Sequence, residues 1–446
     1  SMKGGYFMLK SNAIKFSNYF KLPNPGLRAY FSNVVKGQPL VYDTPFARGE
    51  NTETLLSKWN EVLVSINDKW PSLYKFEMDM KSKVGPLSVM KPLRERMDDI
   101  QAYYTGVEGA PEPIADKAVS AALSEWKKAA GMQVRSASRT LDAMKKSTNS
   151  GSPYFTKRRN VVDDTNPCTI EINNQTVIQN LPHSVWEACA VLGWRGQEGG
   201  FTKDDVKQRV VWMFPFAVNI RELMVYQPLI ESAQKFNINP AWVSMDAVDK
   251  EITHLFDTKG PSDPIICTDF TKFDQHFNPQ LQKCAYTMIR ALFKGAGPEI
   301  SYWLNEVFPV KYMIPLAYDY GKIKYGNHGM GSGSGGTNAD ETLAHKCLQY
   351  EAAQSKGKLL NPHSMCLGDD GILSYPGITV DDVITNYSKH GLEMNPEKQD
   401  VSEQDCIYLR RWHHTSYRMQ GICVGVYSTM RALGRLRYLE RYQDPE

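Results

Sequence analysis

The chain has 446 residues, more than the roughly 100 to 200 residues of a usual domain, so we predict several subdomains that share a large core. Its apolar and charged fractions, 42% and 23%, exclude a disordered or fibrous chain, and its net charge of +3 does not by itself indicate a nucleic-acid binder. The eight cysteines form no CxxC pair and no apolar run reaches the roughly 20 residues of a membrane span, which argues against a disulfide framework, a thiolate zinc site and a membrane partner.

The first hundred residues are rich in aromatic side chains and interrupted by prolines such as Pro23 and Pro39, which predicts irregular segments packed along other subdomains. Further along the chain, we expect helices from Ile114 to Ala130 and after Ala137. Another helix is expected from Asn219. Short β-branched runs before it predict strands at Val161-Val162, at Thr176 to Ile178 and at Val210-Val211.

Basic residues are concentrated in two segments of the chain. From Lys127 to Arg159 there are nine Lys or Arg and one acid, Asp142. From Arg410 to Arg441 there are seven Arg and one acid, Glu440. Clustered cations are typical of phosphate binding, because they displace the counterions of a nucleic acid. Solvated helix faces are the alternative for either segment alone.

Beyond residue 260 the predicted elements are clearer. An apolar run from Pro264 to Asp269 predicts a buried strand that ends in a carboxylate. Asn278-Pro279 supplies an N-cap and a first-turn proline for a helix toward Lys294. A glycine-rich loop from Gly329 to Gly336 then leads into a helix from Asn338 to Ser355.

The segment from Ser364 to Tyr375 has two apolar arms around Gly368-Asp369-Asp370-Gly371, which predicts a hairpin with two acids at its tip. Thr379 then caps a helix that has acids in its first turn and basic residues in its last. Gly391 follows the end of that helix, as is usual for a C-terminal cap.

The two acids at the hairpin tip, Asp369 and Asp370, repel each other, and a divalent cation would neutralise them. An acid pair in a turn is weak evidence for a metal site on its own, because Asp is a common turn residue. A second strand-end acid, Asp269, strengthens the interpretation. If the two strands are neighbours, the three carboxylates could hold two Mg²⁺ or Mn²⁺ ions roughly 3.5 to 4 Å apart, to activate a 3′-hydroxyl and steady a leaving pyrophosphate.

Three segments resemble motifs A, B and C of viral RNA-dependent RNA polymerases in order and spacing. They are Asp269-Phe-Thr-Lys-Phe-Asp274, Ser332-Gly333-Ser-Gly-Gly-Thr337 and Leu367-Gly-Asp-Asp370. The first two are most similar in sequence to the polymerases of picobirnaviruses, viruses whose genome is segmented double-stranded RNA. The resemblance covers residues 150 to 412. It implies that Asp269 and Asp369 are the principal metal ligands, that Asp370 is auxiliary, and that Asp274 senses the ribose 2′-hydroxyl.

The glycine-rich loop departs from the family at one position. Ser332 and Gly333 belong to a stretch that lets backbone amides approach the nucleotide closely. Thr337 matches the family's threonine, but Glu341 replaces the asparagine four positions later. Asn338 could substitute for that asparagine, or Asp274 and Thr337 could suffice. Alternatively, Asn338 and Glu341 form a helix capping box.

Cations of two further motifs are implied by the resemblance. Lys398 is similar to the motif D lysine that protonates the departing pyrophosphate. Lys203, Lys207 and Arg209 are similar to motif F, which clamps the triphosphate. Arg209 is the strongest of these candidates, because arginine binds phosphate oxygens bidentately, whereas Lys203 and Lys207 could simply be exposed.

Contacts with template and nascent RNA are implied at two more places. Ser150, Gly151 and Pro153 resemble motif G, which lines the template entrance. Arg410 and Arg411 lie in a segment that resembles motif E, the strand that grips the primer. The alternatives are an ordinary turn and a plain amphipathic strand.

The family implies an α+β right-hand polymerase of fingers, palm and thumb, with an antiparallel palm sheet backed by helices. We expect an N-terminal segment that bridges fingers and thumb at 1–95, fingers at 96–262, palm with motif A at 263–294, a fingers insertion at 295–328, palm with motifs B to E at 329–415, and thumb at 416–446. This thumb is short for the family, so either the chain is truncated or its thumb is small.

We therefore expect RNA-templated RNA synthesis from ribonucleoside triphosphates, for replication and transcription of a viral genome. The family also implies capsid protein as a partner and a location in the virion interior and the host cytoplasm. Reverse transcription is the runner-up, disfavoured because an acid, Asp274, stands where an aromatic gate is usual, and because Gly368 precedes the acid pair where a YxDD-type turn is usual. A non-enzymatic RNA-binding or capsid-associated protein is the remaining alternative.

Overall fold

The computed structural model describes residues 13–21, 25–45 and 51–439 of the chain. Predictions that involve Pro23, Glu440 and Arg441 lie outside the described residues. Within the described part the α-helices are α1 Pro25–Lys36, α2 Asn51–Asn67, α3 Pro71–Lys83, α4 Leu93–Thr105, α5 Asp116–Ser124, α6 Ala137–Ala143, α7 Val162–Thr165, α8 Phe216–Lys235, α9 Pro240–Val243, α10 Met245–Thr258, α11 Pro279–Leu292, α12 Pro298–Tyr302, α13 Thr337–Gln354, α14 Val380–Ser388 and α15 Thr429–Arg437. The strands are β1 Tyr42–Asp43, β2 Thr169–Asn173, β3 Thr176–Asn180, β4 Val185–Ala188, β5 Ala190–Gln197, β6 Lys207–Met213, β7 Ile265–Thr268, β8 Leu316–Asp319, β9 Lys322–Lys324, β10 Met365–Leu367, β11 Asp370–Leu373, β12 Asp400–Ser402, β13 Asp405–Tyr408, β14 Arg411–His414, β15 Val426–Tyr427 and β16 Tyr438–Leu439.

A four-stranded antiparallel sheet carries the predicted catalytic acids. Its order is β10-β11-β7-β12, with the buried β7 inside the sheet. β10 and β11 form the predicted hairpin. Helix α13 packs against β10, and α11 and α14 pack against α13. The predicted fold class, an antiparallel palm sheet backed by helices, is confirmed.

Helix α13 lies in the middle of the main core. Apolar residues such as Leu343 and Leu348 are buried along it, and so are the polar side chains of Asp340, Glu341 and His345. A helix that is buried on most sides carries polar groups only where they have partners or a task. The buried polar residues of α13 are therefore candidates for the functional site.

A second sheet has the order β6-β5-β8-β9. Its long hairpin pairs Val191 with Met213 at one end and Gln197 with Lys207 at the other. Because side chains alternate along a strand, Lys207 and Arg209 lie on the same face of β6. The strand predicted at Val210-Val211 is confirmed.

Three predictions of local structure need correction. The N-terminal region is not mainly irregular, because it contains the helices α1, α2 and α3, with Pro71 at the first position of α3. Val161 and Val162 do not form a strand; helix α7 begins at Val162, and Asp163 and Asp164 in its first turn favour a helix N-terminus. The helix expected from Ile114 to Ala130 is shorter, since α5 ends at Ser124 and is followed by a 3₁₀ turn.

The N-terminal helices hold the last described helix. Glu77 of α3 is buried and accepts hydrogen bonds from the backbone N–H groups of Thr429 and Met430 at 3.0 and 3.1 Å. An acid at this place offsets the unpaired amides and the positive end of α15. β1 also pairs with β16. In the described part, no helix combines the length and the apolar character that a bilayer crossing needs.

Candidate active site

The three predicted metal-binding acids lie at one end of the palm sheet. Asp269 follows β7 directly, and Asp369 and Asp370 lie at the turn between β10 and β11. Thr268 pairs with Gly371 across the two antiparallel strands. The residues that follow and precede this pair, Asp269 and Asp370, are therefore neighbours on adjacent strands.

Burial raises the pKa of all three acids. For Asp369 the charge of Asp274 adds to the effect of burial. The pKa of Asp370 rises to about 7, although its carboxylate accepts a hydrogen bond from the N–H of Leu409 at 2.8 Å. The pKa of Asp269 is raised against the opposing charges of nearby lysines. A divalent cation would favour the ionised form of each acid.

The oxygen donors at this end of the sheet fit Mg²⁺ or Mn²⁺. One oxygen of Asp370 is engaged by Leu409, so Asp269 and Asp369 offer more free oxygen to an ion. In the described part of the chain, no three His, Cys, Asp or Glu side chains form a group that could hold an ion by themselves. Mg²⁺ sites of nucleotide enzymes use one or two carboxylates together with substrate phosphates, and Asp269 and Asp369 suit that arrangement.

Gln399, which the sequence did not single out, fixes the backbone at Asp269. Its side-chain oxygen accepts a hydrogen bond from the Asp269 N–H at 2.7 Å, and its Nε2 donates to the Asp269 carbonyl at 2.9 Å. Nε2 also donates to the carbonyl of Asn395 at 2.9 Å. Because Gln399 directly follows Lys398, one short segment positions both the predicted acid catalyst and Asp269.

Helix α13 holds the hairpin tip. The Nδ1 of His345 donates to the carbonyl of Gly368 at 2.8 Å, and the hydroxyl of Thr342 accepts from the Gly368 N–H at 2.9 Å. Burial lowers the pKa of His345 to about 4, so the ring is neutral at physiological pH. A side chain at Gly371 would collide with this ring, since its Cβ would lie 2.6 Å from Cε1.

The glycine-rich loop lies directly on β6. A Cβ at Gly333 would lie 1.7 Å from the carbonyl oxygen of Trp212, and the Ser332 hydroxyl accepts from the Trp212 N–H at 3.2 Å. The Thr337 hydroxyl points back into the loop and donates to the carbonyl of Gly331 at 3.2 Å. Ser332 and Thr337 therefore shape the loop, and the structure does not direct either hydroxyl at the acids.

Buried charges hold the loop from behind. Glu222 of α8 is fully buried and accepts hydrogen bonds from the Gly335 N–H at 3.1 Å and from the Ser334 hydroxyl. Burial raises the pKa of Glu222, and the charge of Lys311 counters this. Lys311 is itself fully buried and pairs with Asp340 at 3.0 Å. No sequence pattern identifies this network, because its members are far apart in the chain.

Three lysines lie close enough to Asp269 for their charges to act on it. The charges of Lys398, Lys83 and Lys207 all lower the pKa of Asp269 against the effect of burial. Burial lowers the pKa of Lys207, and the charges of Lys83 and Lys398 lower it further. Lys207 and Lys398 thus lie where the motifs predicted. Lys83, from the N-terminal helix α3, was not predicted.

Close backbone contacts bring Lys83 to this place. The segment after it lies against the loop before β6, since a Cβ at Gly85 would lie 1.6 Å from the carbonyl oxygen of Gly200. The amide of Gln208 extends this contact by donating to the carbonyl of Val89 at 2.9 Å. Among the described residues, Lys83 has no anionic partner at ion-pair distance.

The other two predicted motif F cations differ in position. Arg209 lies on the same face of β6 as Lys207, and its charge lowers the pKa of Asp369. Lys203 lies in a 3₁₀ turn before β6, is exposed, and makes no hydrogen bond to the acids within the described residues. The structure therefore brings Arg209 and Lys207 to the site and leaves Lys203 outside it.

The predicted capping box is not formed. Helix α13 begins at Thr337, its N-cap is Gly336, and Asn338 accepts a hydrogen bond from the Trp242 indole N–H at 2.9 Å. Glu341 turns into the core, where burial and then the nearby charge of Asp274 raise the pKa of its carboxyl group well above the usual range. Glu341 thus lies beside the predicted ribose sensor.

The predicted motif G residues form a buried turn. Ser150 and Gly151 are buried, and a Cβ at Gly151 would lie 2.8 Å from the carbonyl of Phe214. The Ser150 carbonyl accepts from the Phe216 N–H at 2.9 Å, at the start of α8. The predicted motif G turn therefore packs against the segment that leads into α8, and its contact with a template stays a prediction.

The two predicted motif E arginines have different surroundings. Arg410 is exposed in the β13–β14 turn, where its charge lowers the pKa of Asp370. Arg411 instead forms an ion pair with the buried Asp249 at 2.9 Å, and Asp249 also accepts from His413 at 2.9 Å. The prediction that Arg411 contacts RNA is corrected on this point, because its guanidinium is committed to Asp249.

Acids lie at one end of an antiparallel palm sheet, close to cations from a fingers sheet. This arrangement defines a nucleic-acid polymerase of the right-hand class. The chain belongs to the family of viral RNA-dependent RNA polymerases, which it matches over residues 81–421. It is thus an enzyme that makes RNA on an RNA template from nucleotides.

The relatives confirm the resemblance to picobirnavirus polymerases. A potential RNA-dependent RNA polymerase of a human picobirnavirus (strain Human/Thailand/Hy005102/-) is 60% identical over 431 residues, which are 97% of this chain and 80% of the relative. The crystal structure of the RNA-dependent RNA polymerase of a human picobirnavirus is 59% identical, with a TM-score of 0.93 over 96% of this chain and 82% of that one. An insertion-loop deletion mutant of such a polymerase is 60% identical, with a TM-score of 0.93 over 96% of this chain and 84% of that one.

Proposed function

We propose that the chain joins ribonucleotides by two-metal nucleotidyl transfer, for replication and transcription of a double-stranded, segmented viral RNA genome. The observation that carries the mechanism is that Asp269, at the end of β7, lies beside the turn that holds Asp369 and Asp370, close enough to three lysines for their charges to act on it. Asp269 and Asp369 would hold the ions, and Asp370 would support them. When bound, the ions lower the pKa of the primer 3′-hydroxyl and offset charge on the phosphates.

The chain's own cations fit the remaining steps. The 3′-hydroxyl oxygen attacks the α-phosphorus as its proton passes to solvent, and the bond to the pyrophosphate oxygen breaks. Lys207 and Arg209 face the acids from β6 and bind the triphosphate oxygens, together with Lys83. Lys398, near Asp269, gives a proton to the departing pyrophosphate.

The experiment is incorporation of labelled ribonucleotides on a defined RNA with a primer, with Asp369→Ala and Asp369→Asn alongside the wild type. We expect Mg²⁺- or Mn²⁺-dependent extension by the wild type and a loss of at least about a thousandfold in both variants. Extension that persists in both variants would exclude the proposed ligand. Asp246→Ala, at an exposed acid in α10, is the control and keeps wild-type activity.

The broader setting follows from the same proposal. Synthesis takes place in the virion interior and the host cytoplasm, with capsid protein as a partner. The proposed fingers, palm and thumb keep the boundaries given above, and packing of α3 against α15 supports an N-terminal segment that reaches the last subdomain. Retention of polymerase activity in purified particles, and its absence from capsids assembled without this chain, is the test.

A further inference from the structure

Two buried side chains of α8, Asn219 and Glu222, hold the glycine-rich loop by consecutive residues. The Asn219 amide donates to the carbonyl of Gly333 at 3.2 Å and to the Glu222 carboxylate at 2.9 Å. The same Glu222 oxygen accepts from the Gly335 N–H at 3.1 Å, and its other oxygen accepts from the Ser334 hydroxyl. Because both side chains are buried, water does not compete for these bonds. The position of the loop therefore depends on this pair.

An arginine from a distant segment completes the cluster. Nη2 of Arg158 donates to Oδ1 of Asn219 at 2.6 Å, and its guanidinium lies over the ring of Phe216, 5.1 Å from the centroid. A carboxamide that accepts from a cation and donates to a carboxylate is fixed in one orientation, since exchanging its oxygen and nitrogen would break both bonds. Arg158 thus keeps the donor side of Asn219 turned toward Glu222 and the loop.

Arg158 belongs to the basic segment that the sequence singled out. Its neighbours Lys157 and Arg159 are exposed, whereas Arg158 is half-buried. Backbone hydrogen bonds of 3.0 Å fix this segment, from the Arg158 N–H to the Thr148 carbonyl and from the Arg159 N–H to the Lys146 carbonyl. The exposed cations are open to RNA phosphates, and the inward one is committed to α8.

We propose that Arg158 is a positioning residue for nucleotide binding, which acts through Asn219 and Glu222 on the glycine-rich loop. On its other side the loop meets β6, since a Cβ at Gly333 would lie 1.7 Å from the carbonyl oxygen of Trp212. The loop is therefore held between α8 and the strand that carries the motif F cations. This inference rests on the proposed function and adds a residue, outside the catalytic acids, that sets the affinity for the incoming nucleotide.

Loss of Arg158 removes two things from the cluster. The buried Oδ1 of Asn219 loses its charged donor, and Glu222 loses a nearby positive charge. Burial lowers the pKa of Arg158, and the charge of Glu222 counters this effect, as expected of a cation beside a buried carboxylate. Without the arginine, Asn219 is free to turn over and to release the Gly333 carbonyl. The metal-binding acids have no part in the cluster, so the effect falls on nucleotide affinity more than on bond formation.

The test is a double-mutant cycle on KM for a nucleotide, measured by single-nucleotide extension at saturating primed RNA. We expect Asn219→Ala to raise KM about tenfold and Arg158→Ala about fivefold, with kcat lowered by less than about twofold. The double variant should raise KM no more than Asn219→Ala alone, because both substitutions break the same connection. Additive effects of the two, or an unchanged KM in both, would overturn the inference.

Arg159→Ala is the matched control, because it removes the same charge from the adjacent exposed position. Any effect that it has on KM should add to that of Asn219→Ala, since Arg159 takes no part in the cluster. An Arg159→Ala effect that fails to add would show that the loss of charge, and not the bond to Asn219, links this segment to the loop.

Hydrogen exchange of residues 331–336 in the free protein is a second readout, which needs neither nucleotide nor activity. We expect faster exchange in Arg158→Ala than in the wild type, because the Gly335 N–H is held by Glu222, and wild-type exchange in Arg159→Ala. Equal exchange in the two variants would contradict the proposal, even if Asn219→Ala fails to fold. A wild type that does not extend RNA would overturn the proposed function and with it the role in nucleotide binding, whereas the exchange data would still show whether Arg158 holds the loop.

Discussion

The side-chain amide of Gln399 makes two hydrogen bonds with the backbone of Asp269. Its Oε1 accepts from the Asp269 N–H at 2.7 Å, and its Nε2 donates to the Asp269 carbonyl at 2.9 Å. Asp269 is the first residue after the buried strand β7, beyond the last paired residue, Thr268. The position of Asp269, a proposed metal ligand, therefore depends on a side chain 130 residues away.

Replacing Gln399 should therefore slow catalysis without unfolding the protein. We expect Gln399→Ala to lower the rate of nucleotide addition by roughly 10- to 100-fold and to raise the Mg²⁺ concentration needed for half-maximal rate, as losses of outer-shell ligand partners do. Single-turnover extension over a Mg²⁺ series measures both. Gln404→Ala, at an exposed glutamine before β13, is the matched control. Equal effects of the two substitutions would show that Gln399 does not position the ligand.

Lys83 is expected to bind the triphosphate. It lies with Lys207 and Lys398 around Asp269, and none of these lysines has an anion at ion-pair distance among the described residues. We expect Lys83→Ala to raise KM for nucleotides about fivefold, equivalent to about 1 kcal/mol, with a smaller change in kcat. The effect should shrink at high salt, because exposed charges are screened.

The control for this experiment is Lys58→Ala, which removes an exposed lysine from the neighbouring helix α2. A fall in overall positive charge would affect both variants alike. If Lys83→Ala leaves KM unchanged, or if Lys58→Ala raises it as much, the lysine has no specific part in nucleotide binding.

The sequence predicted the parts of the site that are local in the chain. The strand before Asp269, the hairpin around Gly368 and the helix capped by Thr379 are all present, because alternation and capping residues act over a few positions. It did not reveal Gln399 or Lys83, whose roles arise from contacts between distant segments. A lysine or glutamine at a helix or strand end has no sequence signature of its own.

Two errors have the same physical origin. Asn338 and Glu341 have capping-box spacing, but burial of α13 determines where Glu341 points, so tertiary packing overrides the local pattern. Arg410 and Arg411 are adjacent in a basic segment, yet their side chains leave the tight turn in different directions. Patterns of charge identify a segment, and only the fold decides which of its members reach a ligand.

Buried histidine should make the protein sensitive to acid. Burial holds the pKa of His345 at about 4, below the roughly 6.5 of an exposed histidine. Between these two pH values, His345 is protonated in the unfolded chain and neutral in the folded chain. Stability contributed by this neutral ring is complete above about pH 6.5 and is lost as the pH falls toward about 4. Glu351 also makes the folded chain less stable as the pH falls, because its pKa in the folded chain is held at about 2 while His390 donates a hydrogen bond to its carboxylate.

His345→Gln tests this dependence, because glutamine can still donate to the Gly368 carbonyl but does not titrate. We expect the free energy of unfolding, measured by urea titration between about pH 5 and 6, to depend less on pH in the variant, by about 1 kcal/mol per pH unit. An unchanged slope would show that His345 takes up no proton on unfolding. His254→Gln, at an exposed histidine of α10, is the control and should keep the wild-type slope.

The two arginines at the β13–β14 turn should separate stability from RNA binding. Arg411 is 15% exposed and Asp249 6% exposed, so Arg411→Ala leaves a buried acid with His413 as its remaining partner. We expect a loss of roughly 3 kcal/mol of stability with little change in the salt dependence of RNA affinity.

Arg410→Ala should do the reverse, weakening RNA binding and lowering the salt slope by about 1 while leaving the unfolding midpoint unchanged. Unfolding curves and RNA titrations at several salt concentrations on both variants measure these outcomes. If Arg411→Ala weakens RNA binding more than Arg410→Ala at equal stability, the Asp249 ion pair opens in the RNA complex and the assignment of roles is reversed.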